Sequence, residues 1–173
     1  MDQLKNKIAI VTGSASGIGR ETALLFAREG AKVTVSDINE KGGQAVADQI
    51  RDAGGEAIFV KADTASLKDH EHLVAETIKS FGGLHIAVNN AGVGSEFSKL
   101  AEVKGEDWNR VIDINLTGLF YGMKYQIPAM INSGGGSIIN VASILGHVAF
   151  FGSGAYVASK HGVIGLTKSG ALD

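Results

Sequence analysis

The amino-acid sequence predicts a single α/β domain with a doubly wound parallel sheet covered by helices on both faces. Five short, β-branched runs alternate along the 173-residue chain with longer amphipathic stretches, which is the pattern of consecutive βαβ units. The runs are almost continuously apolar, as expected of strands buried on both faces. The 24 glycines are dispersed among these segments, which indicates tight turns rather than a linker. We therefore expect residues 1–173 to form one domain.

The elements follow one another in a regular order. Strands are predicted at 7–13, 31–37, 56–63, 84–90 and 136–143, and helices at 17–29, 40–53, 66–81, 106–131 and from 155 onward. The long helical stretch is expected to break near Asp113–Asn115 into a short helix and a longer one. Ser66, followed three residues later by Asp69, predicts a capped start for the third helix.

The composition argues against several classes of protein. A net charge of −2 gives no electrostatic reason to expect a nucleic-acid or anionic-membrane partner, and no apolar run approaches transmembrane length. With no cysteine there is no disulfide or zinc–thiolate site. His70 and His72 are two apart on a predicted helix and point in different directions, so no metal pair is expected. Without a visible signal peptide, the chain is expected to be cytoplasmic.

A glycine-rich loop, "TGSASGIG" at 12–19, joins the first strand to the first helix. Its glycines permit a tight turn and let backbone N–H groups approach a pyrophosphate at the helix N-terminus. By itself the motif fits a tight turn with close packing equally well, but its position favours dinucleotide binding. The residues expected to contact the dinucleotide here are Gly13, Ser16, Gly17, Ile18 and Gly19.

Asp37 ends the second strand, twenty residues beyond Gly17. An acid at this place can accept hydrogen bonds from the adenosine ribose hydroxyls and repel a 2′-phosphate. The next residue, Ile38, is not basic, and neither are residues 14–16. The alternative is an ordinary strand-end acid. The sequence predicts NAD(H) as the cofactor in preference to NADP(H).

Two further strand ends are expected at the same rim of the sheet. The first, "KADT", places Asp63 and Thr64 there, and the Asp63 carboxylate can accept from the adenine amino group. The second, "VNNAG", provides small residues that let an adenosine ribose lie against the backbone, namely Asn90, Ala91 and Gly92. Asn89 is expected to be structural, bonded to neighbouring loops.

Tyr156 and Lys160 are four residues apart, so they share one face of the last predicted helix. A phenol with a pKa near 10 is a poor acid–base catalyst at neutral pH, but a cation about 4 Å away stabilises the phenolate by about 4 kcal/mol. Such spacing is common by chance. Ser143, at the end of the fifth strand, is expected at the same rim to hold a substrate oxygen. Asn115, at the predicted kink, would fix a water linking Lys160 to solvent.

Taken together, TG(x)3GxG at 12–19, Asp37, NNAG at 89–92, Asn115, Ser143 and YxxxK at 156–160 resemble the short-chain dehydrogenase/reductase family over essentially the whole chain. The resemblance implies a Rossmann-like fold and reversible hydride transfer between NAD and a secondary alcohol or ketone. It implies that Tyr156 is the acid–base, that Lys160 strengthens its acidity and binds the nicotinamide ribose, that Ser143 orients the substrate oxygen, and that Asn115 completes a proton relay.

Two other functions fit part of the pattern. One is a non-catalytic NAD-binding module or inactive fragment, for which the Asn–Ser–Tyr–Lys set would be unnecessary. The other is a 3-oxoacyl-carrier-protein reductase, against which Asp37 argues because those relatives usually take NADPH. The stretch "GMKYQIPAM" at 122–130 faintly resembles members that oxidise cyclic alcohols.

The sequence and the resemblance together predict what surrounds the site. An apolar substrate pocket or, equally, simple loop packing is expected from Ile144, Leu145, His147, Phe150 and Phe151. Helix packing is expected of Trp108, Val111, Ile112, Leu116, Leu119 and Phe120. Family members continue past "TKSGALD" with further strands and a lid, so the fifth strand is expected to be an unpaired edge and full activity to need that segment. A homodimer or tetramer is expected through helices 114–131 and 155 onward.

Overall fold

A computed structural model describes residues 3–172 and confirms the predicted α/β architecture. The sheet is parallel throughout, with strand order β3-β2-β1-β4-β5. The strands are β1 (Ile8–Thr12), β2 (Lys32–Asp37), β3 (Ala57–Lys61), β4 (Ile86–Asn89) and β5 (Ser137–Asn140). The helices are α1 (Gly17–Arg28), α2 (Glu40–Asp52), α3 (Leu67–Phe81), α4 (Gly105–Ile112), α5 (Gly118–Asn132) and α6 (Gly154–Gly170). Short 3₁₀ turns occupy Leu100–Glu102 and Ile144–Gly146.

Helices cover both faces of the sheet. Around Val33, Val35, Val46 and Ile50 a core forms between the sheet and α1 and α2. On the opposite face a second core around Leu73, Leu84 and Met130 joins the sheet to α3 and α5. All five residues of β1 are buried, which is why the central strands are almost continuously apolar in the sequence.

The predicted break in the helical stretch 106–131 is a different feature in the structure. The chain stays helical across Asp113–Thr117, but this segment is a π-helix, in which the N–H of Gly118 bonds to the carbonyl of Asp113. Such wide turns inside a helix often occur at functional sites. The helix does not break at the predicted position. A wide π-helical turn joins α4 to α5 there.

β5 forms one edge of the sheet, as expected. It is the least buried strand: Ser137 is exposed and Ile139 is 43% exposed, and one wall of an open groove of about 370 Å³ lies along it. Among the described residues, no helix is both long and apolar enough to cross a membrane.

Candidate active site

The strand order reverses between β1 and β4, and their carboxyl ends lie side by side. This is the switch point at which open α/β sheets bind ligands, and a cleft of about 400 Å³ lies along this rim. Its lining contains ten of the residues predicted to bind the dinucleotide: Gly13, Ser16, Ile18, Asp37, Ile38, Asp63, Thr64, Asn90, Ala91 and Gly92. Ala62, Val93 and Ile114 also line it and were not predicted.

Glycines shape the phosphate end of the cleft. Gly13 has a φ of +62°, and a Cβ there would lie 2.8 Å from the Cα of Ala91. A Cβ on Gly19, which is buried in the first turn of α1, would overlap the carbonyl oxygen of Gly13. Gly17 begins α1, and neither it nor Gly19 is among the cleft-lining residues. The loop and the N-terminus of α1 therefore fit a pyrophosphate, which would need backbone N–H groups free of side chains.

Asp37 is held in place at the rim by two backbone amides. Its Oδ2 accepts from the N–H of Ala15 at 2.9 Å and its Oδ1 from the N–H of Asn39 at 2.9 Å. A carboxylate has about four acceptor positions, so both oxygens keep capacity to bind ribose hydroxyls. The nearby cation Arg20 is turned toward Glu21 and toward Gln49 on α2, 2.9 Å away.

Asn90 has a role that the sequence analysis missed. Its Nδ2 donates to the carbonyls of Thr12 and Gly13 at 3.0 and 3.1 Å. Thr12 Oγ1 in turn accepts from the N–H groups of Asn90 and Ala91 at 3.1 and 3.2 Å. The end of β4 is thereby fastened to the glycine loop, so the two sides of the cleft form one unit. A side chain bonded to main-chain carbonyls of another strand leaves no spacing signal in the sequence.

The Asp63 segment is fixed by the start of α3. The backbone N–H of Asp63 donates to Asp69 Oδ2 at 2.8 Å, and this bond is the main reason that the pKa of Asp69 is lowered. The predicted cap is present, since Ser66 Oγ accepts from the N–H of Asp69 at 3.3 Å. The Oδ1 of Asp63 accepts from the N–H of Ala65 at 2.9 Å.

His70 supports the same segment from inside the protein. Its Nε2 donates to the carbonyl of Thr64 at 3.0 Å, and burial lowers the pKa of the His70 imidazole. His72 is exposed, so the two histidines do point in different directions. Residues 3–172 contain no group of three or more His, Cys, Asp or Glu side chains placed to hold a metal ion.

Lys160 and Tyr156 lie together on α6, as their spacing predicts. Lys160 is only 5% exposed, and its Nζ donates to the carbonyl of Val141 at 2.8 Å. The same Nζ lies 5.6 Å from the centroid of the half-buried Tyr156 ring. Burial lowers the pKa of Lys160, because the charged form loses hydration.

Asn115 lies in the π-helical segment and is hydrogen-bonded to Val93 and Ser159. Its Oδ1 accepts from the N–H of Val93 at 2.8 Å, and its Nδ2 donates to the Val93 carbonyl and to Ser159 Oγ. A Cβ on Gly92 would lie 3.2 Å from Asn115 Oδ1 and 3.7 Å from Lys160 Nζ. Both polar groups thus lie against Gly92, and the remaining lone pair of Oδ1 is the side chain's free position for a water.

Ser143 follows β5 at the start of the 3₁₀ turn. Its Oγ accepts from the N–H of Leu145 at 3.2 Å. The turn packs against α6, because a Cβ on Gly146 would lie 2.8 Å from the carbonyl oxygen of Lys160. Ser143, Tyr156 and Lys160 are therefore carried by two segments in direct contact.

The loop after Ser143 exposes much of its apolar surface. Ile144, Phe150 and Phe151 are exposed, and Phe151 packs edge-on against Phe97, with ring centroids 5.6 Å apart. Leu145 is half-buried. Apolar side chains at this loop are therefore available to contact a ligand rather than used up in the core.

The surface between α4 and α6 corrects part of the packing prediction. Val111 and Leu119 are buried and Ile112 and Leu116 partly so, but Trp108 is 37% exposed and Phe120 46% exposed. Trp108 lines an open groove with His147 and His161. Both aromatic rings are therefore partly at the surface, which a count of apolar residues does not reveal.

Comparison with known proteins identifies the family. The sequence model described as short chain dehydrogenase matches residues 7–173. The chain is 47% identical over 172 residues to cyclohexanol dehydrogenase of an Acinetobacter species, covering 99% of this chain and 68% of that protein. It is also 47% identical over 174 residues to 2,5-dichloro-2,5-cyclohexadiene-1,4-diol dehydrogenase of Sphingobium indicum, covering 100% of this chain and 68% of that protein.

The solved structures agree with this result. The crystal structure of levodione reductase superposes with a TM-score of 0.95 at 30% identity, covering 98% of this chain and 67% of that one. The chain thus spans about two thirds of the length of these relatives. It belongs to the short-chain dehydrogenase family, whose dehydrogenases are oxidoreductases that use a nicotinamide dinucleotide.

Proposed function

We propose that this protein transfers hydride between NAD and a secondary alcohol or ketone on an aliphatic ring, with Tyr156 as the acid–base residue. The observation that carries the proposal is the buried Lys160, whose Nζ lies 5.6 Å from the Tyr156 ring centroid. A desolvated cation this close stabilises a phenolate much more than an exposed one. Asn115 and Ser143 lie on segments that contact this pair.

The preference for NAD rests on Asp37. Its carboxylate is fixed at the cleft by Ala15 and Asn39, so it cannot turn away from an approaching 2′-phosphate. Like charges brought together in a binding site cost several kcal/mol. Arg20, a cation that would otherwise favour the phosphate, is paired with Glu21. We therefore expect NADH to bind on the order of 10²-fold more tightly than NADPH.

In the direction of oxidation, Ser143 Oγ would bind the substrate hydroxyl oxygen and hold it near Tyr156. The Tyr156 phenolate would take the hydroxyl proton, while the hydride leaves the carbinol carbon and the carbonyl forms. Lys160 would stabilise the phenolate before the transfer. The dinucleotide, when bound, supplies the hydride acceptor. Reduction would run through the same groups in reverse.

The ring-alcohol class is supported by the relatives. Cyclohexanol and 2,5-dichloro-2,5-cyclohexadiene-1,4-diol both carry a secondary hydroxyl on a six-membered carbon ring. In this chain the exposed Ile144, Phe150 and Phe151 supply apolar contact area in the loop after Ser143. Such side chains suit an uncharged ring better than an anionic substrate.

We further propose that residues 1–173 act as one dinucleotide-binding domain and that two or four copies associate through α5 and α6. Phe120 and Ile131 on α5 are exposed, with Ile131 69% accessible. Exposed apolar side chains grouped on helices commonly mark association surfaces. Sedimentation of the purified chain would report the number of copies, and a monomer at micromolar concentration would contradict this part.

The direct test measures binding of NADH and NADPH by fluorescence titration, then oxidation of cyclohexanol with NAD and with NADP. We expect tighter binding of NADH and turnover with NAD. Asp37→Ser should reduce the ratio of NADH affinity to NADPH affinity. Glu40→Gln is the matched control, because it removes an exposed carboxylate on the first turn of α2 and should leave that ratio unchanged. Tighter binding of NADPH by the unmodified chain would contradict the cofactor proposal. NADH binding without turnover of any ring alcohol or ketone would favour a binding module.

A further inference from the structure

A continuous line of hydrogen-bonded side chains joins four elements of the catalytic half. Asn89 at the end of β4 and the fully buried Gln126 of α5 exchange two bonds of 3.0 and 2.9 Å. Asn89 Nδ2 also donates to Asn140 Oδ1 on β5 at 2.9 Å. Asn140 Nδ2 donates to Thr167 Oγ1 on α6, again at 2.9 Å. Asn89 is thus structural, as predicted, but its partners lie on a helix and a strand instead of on loops.

The direction of every bond in this line is determined. Thr167 Oγ1 donates its single hydrogen to the carbonyl of Val163 at 2.6 Å, so it can only accept from Asn140. Asn140 must then turn its amide oxygen toward Asn89, whose Nδ2 donates to it. An inverted Asn140 amide would place two donors against each other. The line therefore has one arrangement, which fixes where Thr167 lies relative to β5.

Among residues 3–172, this is one of two side-chain hydrogen bonds that join α6 to the end of β5. The other runs from Lys160 Nζ to the carbonyl of Val141 at 2.8 Å. Lys160 and Thr167 are seven residues apart, about two helical turns, so they lie on the same face of α6. Their partners Asn140 and Val141 are adjacent in the chain. Two attachments separated by two turns prevent both sliding and rolling of the helix against the strand.

We propose that Thr167, through its bond to Asn140, is a positioning residue that keeps Lys160 in its buried place beside Tyr156. The inference rests on the proposed roles of Lys160 and Tyr156. It adds a requirement that the Asn–Ser–Tyr–Lys pattern does not contain. Lys160 is buried and its Nζ donates to the carbonyl of Val141, so a small displacement of α6 would expose it or break that bond. Either change would weaken the field at the phenol.

The test compares Thr167→Val with Thr167→Ser. Valine has the shape of threonine without the hydroxyl, whereas serine keeps the hydroxyl and the bond. We expect Thr167→Val to lower kcat for the alcohol about 10- to 100-fold and to move the acidic limb of the pH profile of kcat/KM. KM for NAD should change less than kcat, because Lys160 is expected to contact only the nicotinamide ribose and the adenosine cleft is formed by other elements. Thr167→Ser should behave like the unmodified protein.

Thr77→Val is the matched control. Thr77 is also a helical threonine that bonds to the carbonyl four residues earlier, at 2.8 Å, and to a side chain on the adjacent strand, Thr34 Oγ1 at 3.0 Å. It lies between α3 and β2, away from α6. Removing its hydroxyl should lower Tm to a similar degree and leave the pH profile unchanged. The proposal would be overturned if both valine variants lowered Tm equally and neither variant changed the pH profile of kcat/KM.

A second readout needs no enzyme activity. An amine-acylating reagent, followed by mass spectrometry, reports how fast Lys160 is modified relative to the exposed Lys168 on the same helix. We expect Lys160 to react on the order of ten-fold more slowly in the unmodified chain, and Thr167→Val, but not Thr77→Val, to remove much of that protection. Unchanged protection in Thr167→Val, and in Thr167→Ala as a second variant, would refute the inference. An unmodified chain without activity would contradict the proposed function. The ratios of Lys160 to Lys168 modification would still decide whether Thr167 positions Lys160.

Discussion

The two halves of the sheet build their parts of the site from different materials. In the cofactor half, β1–β3 with α1–α3, the phosphate end of the cleft depends on close backbone contacts at glycine, such as Gly19 against the carbonyl of Gly13. In the catalytic half, β4 and β5 with α4–α6, the candidate catalytic groups are polar side chains held by hydrogen bonds, such as Asn115 and Lys160. The first half should therefore be sensitive to added atoms and the second to removed ones.

The largest effect is expected from Tyr156→Phe in the catalytic half. The change removes one oxygen and leaves the backbone and the cleft unchanged. Loss of a general acid–base group lowers the rate by about 10²–10⁴-fold, so kcat should fall by that factor. Titration with NADH should give a dissociation constant within about two-fold of the unmodified protein, since the adenosine contacts are elsewhere. A large loss of NADH binding would show that the two halves are not separable.

In the cofactor half, adding a single methyl group at Gly13 should be nearly as damaging. Gly13→Ala places a Cβ 2.8 Å from Ala91 Cα at a φ of +62°. We expect a loss of roughly 2–4 kcal/mol in unfolding free energy and loss of measurable NADH binding. Gly134→Ala is the control, since its φ of +88° is equally strained but no atom lies within 4 Å. It should cost only about 1–2 kcal/mol, as measured by thermal unfolding.

Lys160→Met should separate stability from activity. Burial lowers the pKa of Lys160 from 10.5, so between the folded value and 10.5 the unfolded chain binds more protons and stability rises with pH. At neutral pH the buried Lys160 cation therefore lowers the free energy of unfolding. We expect the variant to lose turnover but to gain roughly 0.5–2 kcal/mol at pH 7, with the gain shrinking toward pH 10. Denaturant unfolding across this range measures it, and a destabilised variant at pH 7 would contradict the expectation.

The smallest effect concerns His70 beneath the cofactor half. Burial lowers the pKa of its imidazole below 6.5, so as the pH falls through 6.5 the unfolded chain takes up the proton first. Stability contributed by neutral His70 is then lost down to the folded value. We expect the free energy of unfolding of the unmodified protein to fall between pH 7 and pH 5. The fall should be smaller by about 1 kcal/mol in His70→Phe, as measured by denaturant unfolding at both pH values. His72→Gln, at an exposed position, should leave it unchanged.

How well the sequence predicts each half follows from the same contrast. Strand and helix positions were recovered in both, since buried strands and amphipathic helices leave a periodic signal. Ten of the cleft-lining residues were predicted, because glycine and strand-end acids have a fixed place in the chain. The π-helical segment was not, because it depends on Asn115 bonding to Val93, 22 residues away.

Contacts through the backbone explain most of what was missed. The Val141 carbonyl that binds Lys160 could belong to any residue type, so no letter in the sequence marks it. The same holds for the bonds of Asn90 to Thr12 and Gly13. Exposure of Trp108 and Phe120 was missed because an apolar letter on a helix does not say which side of the helix is covered.

The bond between Asp37 and the N–H of Ala15 limits how this protein could be redesigned. Replacing Asp37 to admit a phosphorylated cofactor would remove a repelling charge and, at the same time, free the backbone of the loop that receives the pyrophosphate. Such a substitution would therefore admit the 2′-phosphate and, in the same step, loosen the loop that is preorganised for the pyrophosphate. A successful change of cofactor should need a second substitution that supplies a new acceptor for the Ala15 amide.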